Sequence, residues 1–122
     1  MKEQPSGGAA LSEAAKAYIE AHSAEKFSLD AMAKSLFVNS SYLLRTFKRH
    51  VGVTPLAYHH WARCVRAREL LAHSSLSISK VGEQVGFVSS SHFSHIFKKA
   101  VGCTPREYRA QLQTDSEEAS ES

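Results

Sequence analysis

Lys48 and Arg49 close one stretch of the chain, and Lys98 and Lys99 close another fifty positions later. The surrounding segments repeat almost residue for residue. Phe47-Lys48-Arg49-His50-Val51-Gly52-Val53-Thr54-Pro55 is matched by Phe97-Lys98-Lys99-Ala100-Val101-Gly102-Cys103-Thr104-Pro105, Ser40-Ser41 by Ser90-Ser91, and Tyr58 by Tyr108. Ammonium and guanidinium groups bind anions, and a duplicated unit that twice ends in a basic helix is suited to touch a repetitive polyanion twice. Double-stranded DNA is the partner this pattern predicts.

Other reactive residues form weaker patterns. His92 and His95 stand three apart on one helical face, a spacing compatible with a metal, but no Cys or carboxylate lies suitably near in sequence, so no metal site and no cofactor is expected. His59 and His60 are adjacent and point in different directions on a helix; one is expected to pack against the bridging helix's neighbours, with Trp61 in a packing role. Cys64 reads as a small buried hydrophobe, while Cys103 stands just before a helix cap, where a thiolate can be stabilised. Asp occurs only at Asp30 and Asp115, and no GxSxG elbow or phosphate-cradling glycine loop is present. No enzyme is expected.

The 122 residues are enough for one modest domain, or two small lobes sharing a helix. No apolar run approaches the ~20 residues of a membrane span. The first eight residues have no apolar signal core, and two cysteines without CxxC spacing fit a reducing compartment. A cytoplasmic, membrane-free setting follows as the expectation. Residues 9–113 hold 14 Lys and Arg against 7 Asp and Glu, a net +7, whereas the segment from Thr114 carries Asp115, Glu117, Glu118 and Glu121 and no cation. The composition predicts a disordered terminus over 1–8, a polyanion-binding body over 9–113 and a disordered acidic tail over 114–122.

Within the body every periodic stretch is helical, and none alternates with period two. Leu11, Ala14, Ala15, Tyr18 and Ile19 form the apolar stripe of a first helix. Ser28 caps a second with Leu29, Met32, Ala33 and Leu36 inward, and Asn39 caps a third with Tyr42, Leu43, Phe47 and Val51 at its apolar positions, ended by Gly52. Thr54-Pro55 opens a long fourth helix to about Ala72. Ser77 caps a fifth carrying Ile78, Val81 and Val85, Ser89 or a neighbour a sixth carrying Phe93, Ile96, Phe97 and Val101, and Thr104-Pro105 opens a seventh. The predicted fold is all-α: a first helix-turn-helix subdomain (9–53), a bridging helix (54–73) and a second subdomain (74–113). The repeat offset is 49 from Leu29 to Leu36 and 50 from Ser40 onward, which places one extra residue in the second turn, around Gly86-Phe87-Val88-Ser89.

These residues resemble the DNA-binding domain of the AraC/XylS bacterial transcription regulators. The second half carries the resemblance most specifically: Ile78, Val85-Gly86-Phe87, Ser91, Phe93, Phe97-Lys98-Lys99, Val101-Gly102, Thr104-Pro105 and Tyr108-Arg109. Leu29, Met32-Ala33, Leu36, Leu43, Phe47-Lys48-Arg49, Gly52, Pro55, Tyr58 and Leu70-Leu71 fit in the first half. The resemblance implies two helix-turn-helix subdomains whose reading helices enter one DNA face, and an activator that contacts RNA polymerase. The long bridging helix predicts a spacing of about one DNA turn (~34 Å), and two reading helices in one chain without an extra dimerisation segment predict a monomer. A chain opening on Met1 and covering only this domain looks like the short stand-alone members; the alternatives are the isolated DNA-binding part of a larger ligand-sensing regulator, and a helical protein-interaction module with weak DNA affinity. Three residues depart from the family pattern: His59 for an aliphatic, His92 for an aromatic, and Gly82 for alanine, at up to ~1 kcal/mol of helix propensity.

With Leu43, Phe47 and Val51 inward, the third helix turns Ser40, Ser41, Leu44, Arg45 and Lys48 outward, and the family's base-contacting positions coincide with Ser41, Leu44 and Arg45. Arg45 alone among them has the forked donor that pairs with guanine O6 and N7. The sixth helix turns Ser90, Ser91, Ser94, His95 and Lys98 outward, and the resemblance carries base contact onto Ser90, Ser91 and His95. Its short serines predict weaker reading. Lys48, Arg49, Lys98 and Lys99, with Thr54 and Thr104 at the following helix starts, are the expected phosphate contacts.

Overall fold

The computed structural model describes the backbone of residues 7–121 and the side chains through Thr114. Among the described residues there are seven helices and no strand: α1 Gly7–Ala21, α2 Leu29–Ser35, α3 Ser40–Val51, α4 Pro55–His73, α5 Ile78–Gln84, α6 Ser90–Val101 and α7 Pro105–Glu121. The all-α expectation holds. Side-chain oxygens of Ser28, Asn39, Thr54, Ser77, Ser89 and Thr104 each accept from the backbone N–H three residues on. Such caps satisfy amides that the first turn leaves unpaired. At the other end, Gly52 (φ 93°) and Gly102 (φ 104°) stop α3 and α6 in the left-handed region, returning their N–H groups to Lys48 O and Lys98 O.

The chain divides into two compact units, Met1–Ala62 and Arg63–Ser122, and the division falls inside α4. The first is built on Ala15, Ile19, Met32, Leu43, Phe47 and Tyr58. The second is built on Cys64, Ala67, Val81, Phe87, Phe93 and Phe97. The duplication survives as ring geometry: Phe47 meets Tyr58 edge-on at 5.7 Å and 71°, and Phe97 meets Tyr108 at the same 5.7 Å and 71°. The partners of the two tyrosine hydroxyls differ. Tyr58 donates to Glu20 of α1, whereas Tyr108 accepts from Arg68 Nε at 3.3 Å. Burial, then the Glu20 contact, pushes the Tyr58 hydroxyl up to about 12.

Both helix-turn-helix corners use the same ending. In the first, Val38 N–H bonds to Ala33 O and Phe37 N–H to Lys34 O; in the second, Phe87 N–H bonds to Gly82 O and Gly86 N–H to Glu83 O. This paired pattern needs a left-handed residue just past the helix, normally glycine, followed by an apolar residue that packs inward. Gly86 (φ 111°) and buried Phe87 fill those roles in the second unit, Phe37 (φ 62°) and half-buried Val38 in the first. The extra residue of the second turn is therefore Val88, which is 98% exposed. A non-glycine side chain in the left-handed region costs about 1–2 kcal/mol.

Four expectations are corrected. Ala14 is exposed, because Ser12 takes the inward position with its hydroxyl on Gly8 O at 2.8 Å. Tyr42 is 42% exposed, and Thr46 is buried on the α3 face instead. The amino-terminal segment is helical from Gly7, and the ring of His50 lies so close to Gly8 that a Cβ there would meet its Nε2 at 2.4 Å; residues 1–6 of the expected disorder lie outside the described residues. Finally, α7 continues through the expected acidic tail to Glu121. No Gly or Pro follows Pro105, and Glu117, Glu118 and Ala119 are good helix formers. Ser122 lies outside the described residues.

Candidate nucleic-acid interface

In the first unit the α3 core contacts through Leu43, Thr46 and Phe47 leave Ser41, Arg45, Lys48 and Arg49 exposed and Leu44 38% exposed. Ser40 differs from the expectation. It is half-buried, and its hydroxyl donates to Asp30 Oδ1 of α2 at 2.5 Å. That bond ties the two helices of the corner and engages the hydroxyl proton, leaving the oxygen as an acceptor. The counterparts in the second unit, Ser79 and Ser90, carry no carboxylate.

On α6, buried Phe93 and Phe97 set the register. Ser90, Ser91, His95, Lys98 and Lys99 are exposed, while Ser94 is half-buried. His92 is exposed and meets Phe87 edge-on at 5.4 Å. Lys48, Arg49, Lys98 and Lys99 stand in the last turns of α3 and α6, where they also offset the partial negative charge of the carbonyl end.

The two helix starts that follow are not equivalent. Thr54 caps α4 with its hydroxyl alone, because the residue three on is Ala57. At α7 the pairing is reciprocal: Glu107 N–H donates to Thr104 Oγ1 at 3.1 Å, and Thr104 N–H donates to Glu107 Oε1 at 2.9 Å. The Thr104 amide, then its side chain, and the nearby charge of Lys98 hold the Glu107 carboxyl below the usual carboxylate range. A carboxylate thus occupies the amide that was expected to meet a phosphate. The Thr104-x-x-Glu107 spacing of a capping box was the available signal.

The remaining candidates fall into packing roles. His59 is buried, with Phe27 edge-on at 5.3 Å, and His60 is half-buried. Trp61 is 49% exposed and lies over Tyr58 at 5.4 Å. Cys64 is buried as expected, and burial pushes its thiol up to about 11; Cys103 is half-buried. Arg63 is buried with its guanidinium 5.0 Å from the centre of the Phe87 ring, and desolvation lowers its pKa. Sequence reasoning gave Arg109 no role. Its fork donates to three carbonyls: Nε to Leu71 at 3.1 Å, Nη1 to Leu76 at 2.6 Å and Nη2 to Ser74 at 3.3 Å. It closes the carbonyl end of α4 and the loop to α5. Among the described residues no three His, Cys, Asp or Glu are grouped to hold a metal ion, and no helix is long and apolar enough to cross a membrane.

Two capped corners, each presenting a basic second helix with short polar residues at its start, define a duplicated helix-turn-helix domain of the nucleic-acid-binding kind. A sequence model described as a helix-turn-helix domain matches residues 32–111. The chain belongs to the AraC/XylS family of transcription regulators. It is 36% identical over 71 residues to the HTH-type transcriptional activator RhaS of Salmonella schwarzengrund, a match covering 58% of this chain and 26% of the relative. The chain therefore spans about a quarter of the length of the curated relatives it matches. An AraC-type regulator from Chromobacterium violaceum is similar in structure, with TM-score 0.81 and 36% identity over 88% of this chain and 96% of that one. The DNA-binding domain of AdpA, solved in complex with a target DNA, gives TM-score 0.78 and 27% identity over 86% and 94% of the two chains.

Proposed function

We propose that the chain binds double-stranded DNA sequence-specifically and regulates transcription, reading adjacent major-groove segments with α3 and α6. Arg45 carries the reading: an exposed guanidinium on the second helix of a helix-turn-helix, beside exposed Ser41 and Leu44. A forked contact to guanine is worth ~1–3 kcal/mol of discrimination. Lys48, Arg49, Lys98 and Lys99 supply phosphate contacts, and with Thr54 they anchor the register. The half built on α6 reads less, because Ser90 and Ser91 reach few base atoms.

The relatives named as activators support an activator; a monomer in the bacterial cytoplasm that contacts RNA polymerase is the form proposed for it. The short span relative to RhaS favours a second reading in which this is the DNA-binding portion of a longer ligand-sensing regulator. Both share one test. With ~6–8 phosphates neutralised, log K should fall with log[salt] at a slope of about −5 to −7, and Arg45→Ala should remove the guanine preference of the α3 segment while leaving that slope nearly intact. Footprinting should protect two segments about one turn apart (~34 Å). A wild-type chain with no sequence preference and a flat salt response would favour a protein-interaction module instead.

A further inference from the structure

Phe37 combines two unfavourable features in one residue. It holds a left-handed backbone (φ 62°), and its side chain is 94% exposed. The same position of the second corner carries Gly86, which adopts φ 111° without steric penalty. Folding alone would be served better by glycine here, since the ring packs on little of the chain's own core. A strained, exposed aromatic ring is accounted for by something outside the fold that uses it.

Its place narrows what that something is. Phe37 lies two residues before the cap Asn39 and three before Ser40, the first residue of α3. Three residues reach at most ~11 Å, so the ring cannot be far from the end of α3 that approaches DNA. The second corner also exposes an apolar side chain just before its reading helix, by a different route: the inserted Val88, one residue before Ser89, is 98% exposed. One unit achieves this with a strained backbone and the other with an extra residue. A phenyl ring has no hydrogen-bonding group to read a base edge, but it can cover the apolar face of a deoxyribose.

We propose that Phe37 is a DNA-contacting residue that packs on the sugar edge of the strand bordering the groove entered by α3, adding affinity without sequence preference. The inference rests on the proposed DNA-binding function. It separates stability from binding, because the residue best for the fold is not the one best for the contact.

The test compares Phe37→Gly and Phe37→Ala with the wild-type chain, using a duplex recovered by selection from random DNA and an unrelated duplex. Phe37→Gly should melt higher, by roughly 4 °C, yet bind both duplexes about five- to tenfold more weakly. Phe37→Ala should bind equally weakly without the gain in melting temperature. Neither should change the salt slope, since no charge is lost. Wild-type affinity in Phe37→Gly would overturn the proposal and point to a protein partner for the ring. Loss on the selected duplex alone would overturn the sugar contact in favour of base reading. A wild-type chain that binds neither duplex would sink the proposed function itself, and this inference with it.

Discussion

Gly82 of α5 lies directly against the ring of Phe93 on α6: a Cβ at that position would approach Phe93 Cδ2 to 2.7 Å. Both residues are buried. The glycine that reads in sequence as a loss of helix propensity is what lets the two helices of the second corner close on an aromatic ring. Gly82→Ala should therefore destabilise despite its better propensity, by about 1–3 kcal/mol from overpacking. Thermal melting followed by circular dichroism checks this, and a variant as stable as the parent would show that Phe93 moves aside freely.

Arg109 joins α7 to the carbonyl end of α4 through three N–H donors in one plane. Lysine retains the charge but cannot reproduce the fork. Arg109→Lys and Arg109→Ala should both lower stability, by about 1–3 kcal/mol. Denaturant unfolding measures it. Full stability in the lysine variant would mean that charge, not geometry, holds the junction.

Much of this architecture was legible in the sequence because its signals are local. Six capping side chains, Gly52 and Gly102 past the reading helices, and the Phe/Tyr repeat each depend on residues within one or two turns. The change in repeat offset disclosed the longer second turn, though not that Val88 was the inserted residue. What was not legible depends on distant or conformational facts. The Ser40–Asp30 bond joins residues ten apart, the three acceptors of Arg109 lie 33 to 38 residues away, and the Gly82–Phe93 contact is a matter of helix approach. Phe37 in a glycine conformation ran against its own residue type, so no propensity argument could place it there.

The carboxyl of Glu107 is held below the usual carboxylate range by the Thr104 amide. A folded-state pKa below the unfolded one means that its contribution is present at neutral pH and is lost as pH falls through the lowered value. The melting-temperature difference between wild type and Glu107→Gln should thus be larger at pH 7 than at pH 3. The reciprocal change Ala57→Glu would build the same box at α4. It should raise the melting temperature and weaken duplex affinity severalfold, because the new carboxylate would stand where Thr54 is proposed to meet a phosphate.

Cys64 and Cys103 should differ in reactivity. Burial pushes the Cys64 thiol up to about 11, against the opposing charge of Arg63, while Cys103 is half-buried before α7. At pH 8 a thiol reagent should modify Cys103 quickly and Cys64 only as the chain unfolds. Mass spectrometry of the labelled peptides distinguishes them, and rapid labelling of Cys64 would mean that the second core opens readily.

Selection of bound sequences from a pool of random duplexes tests whether α3 and α6 read DNA together. Two reading helices in one chain predict enrichment of a single motif with two segments about one helical turn (~10 bp) apart, with the α3 segment the more strongly specified and its guanine preference lost in Arg45→Ala. A pool that emerges unenriched after repeated rounds, from a chain shown to be folded, would contradict it.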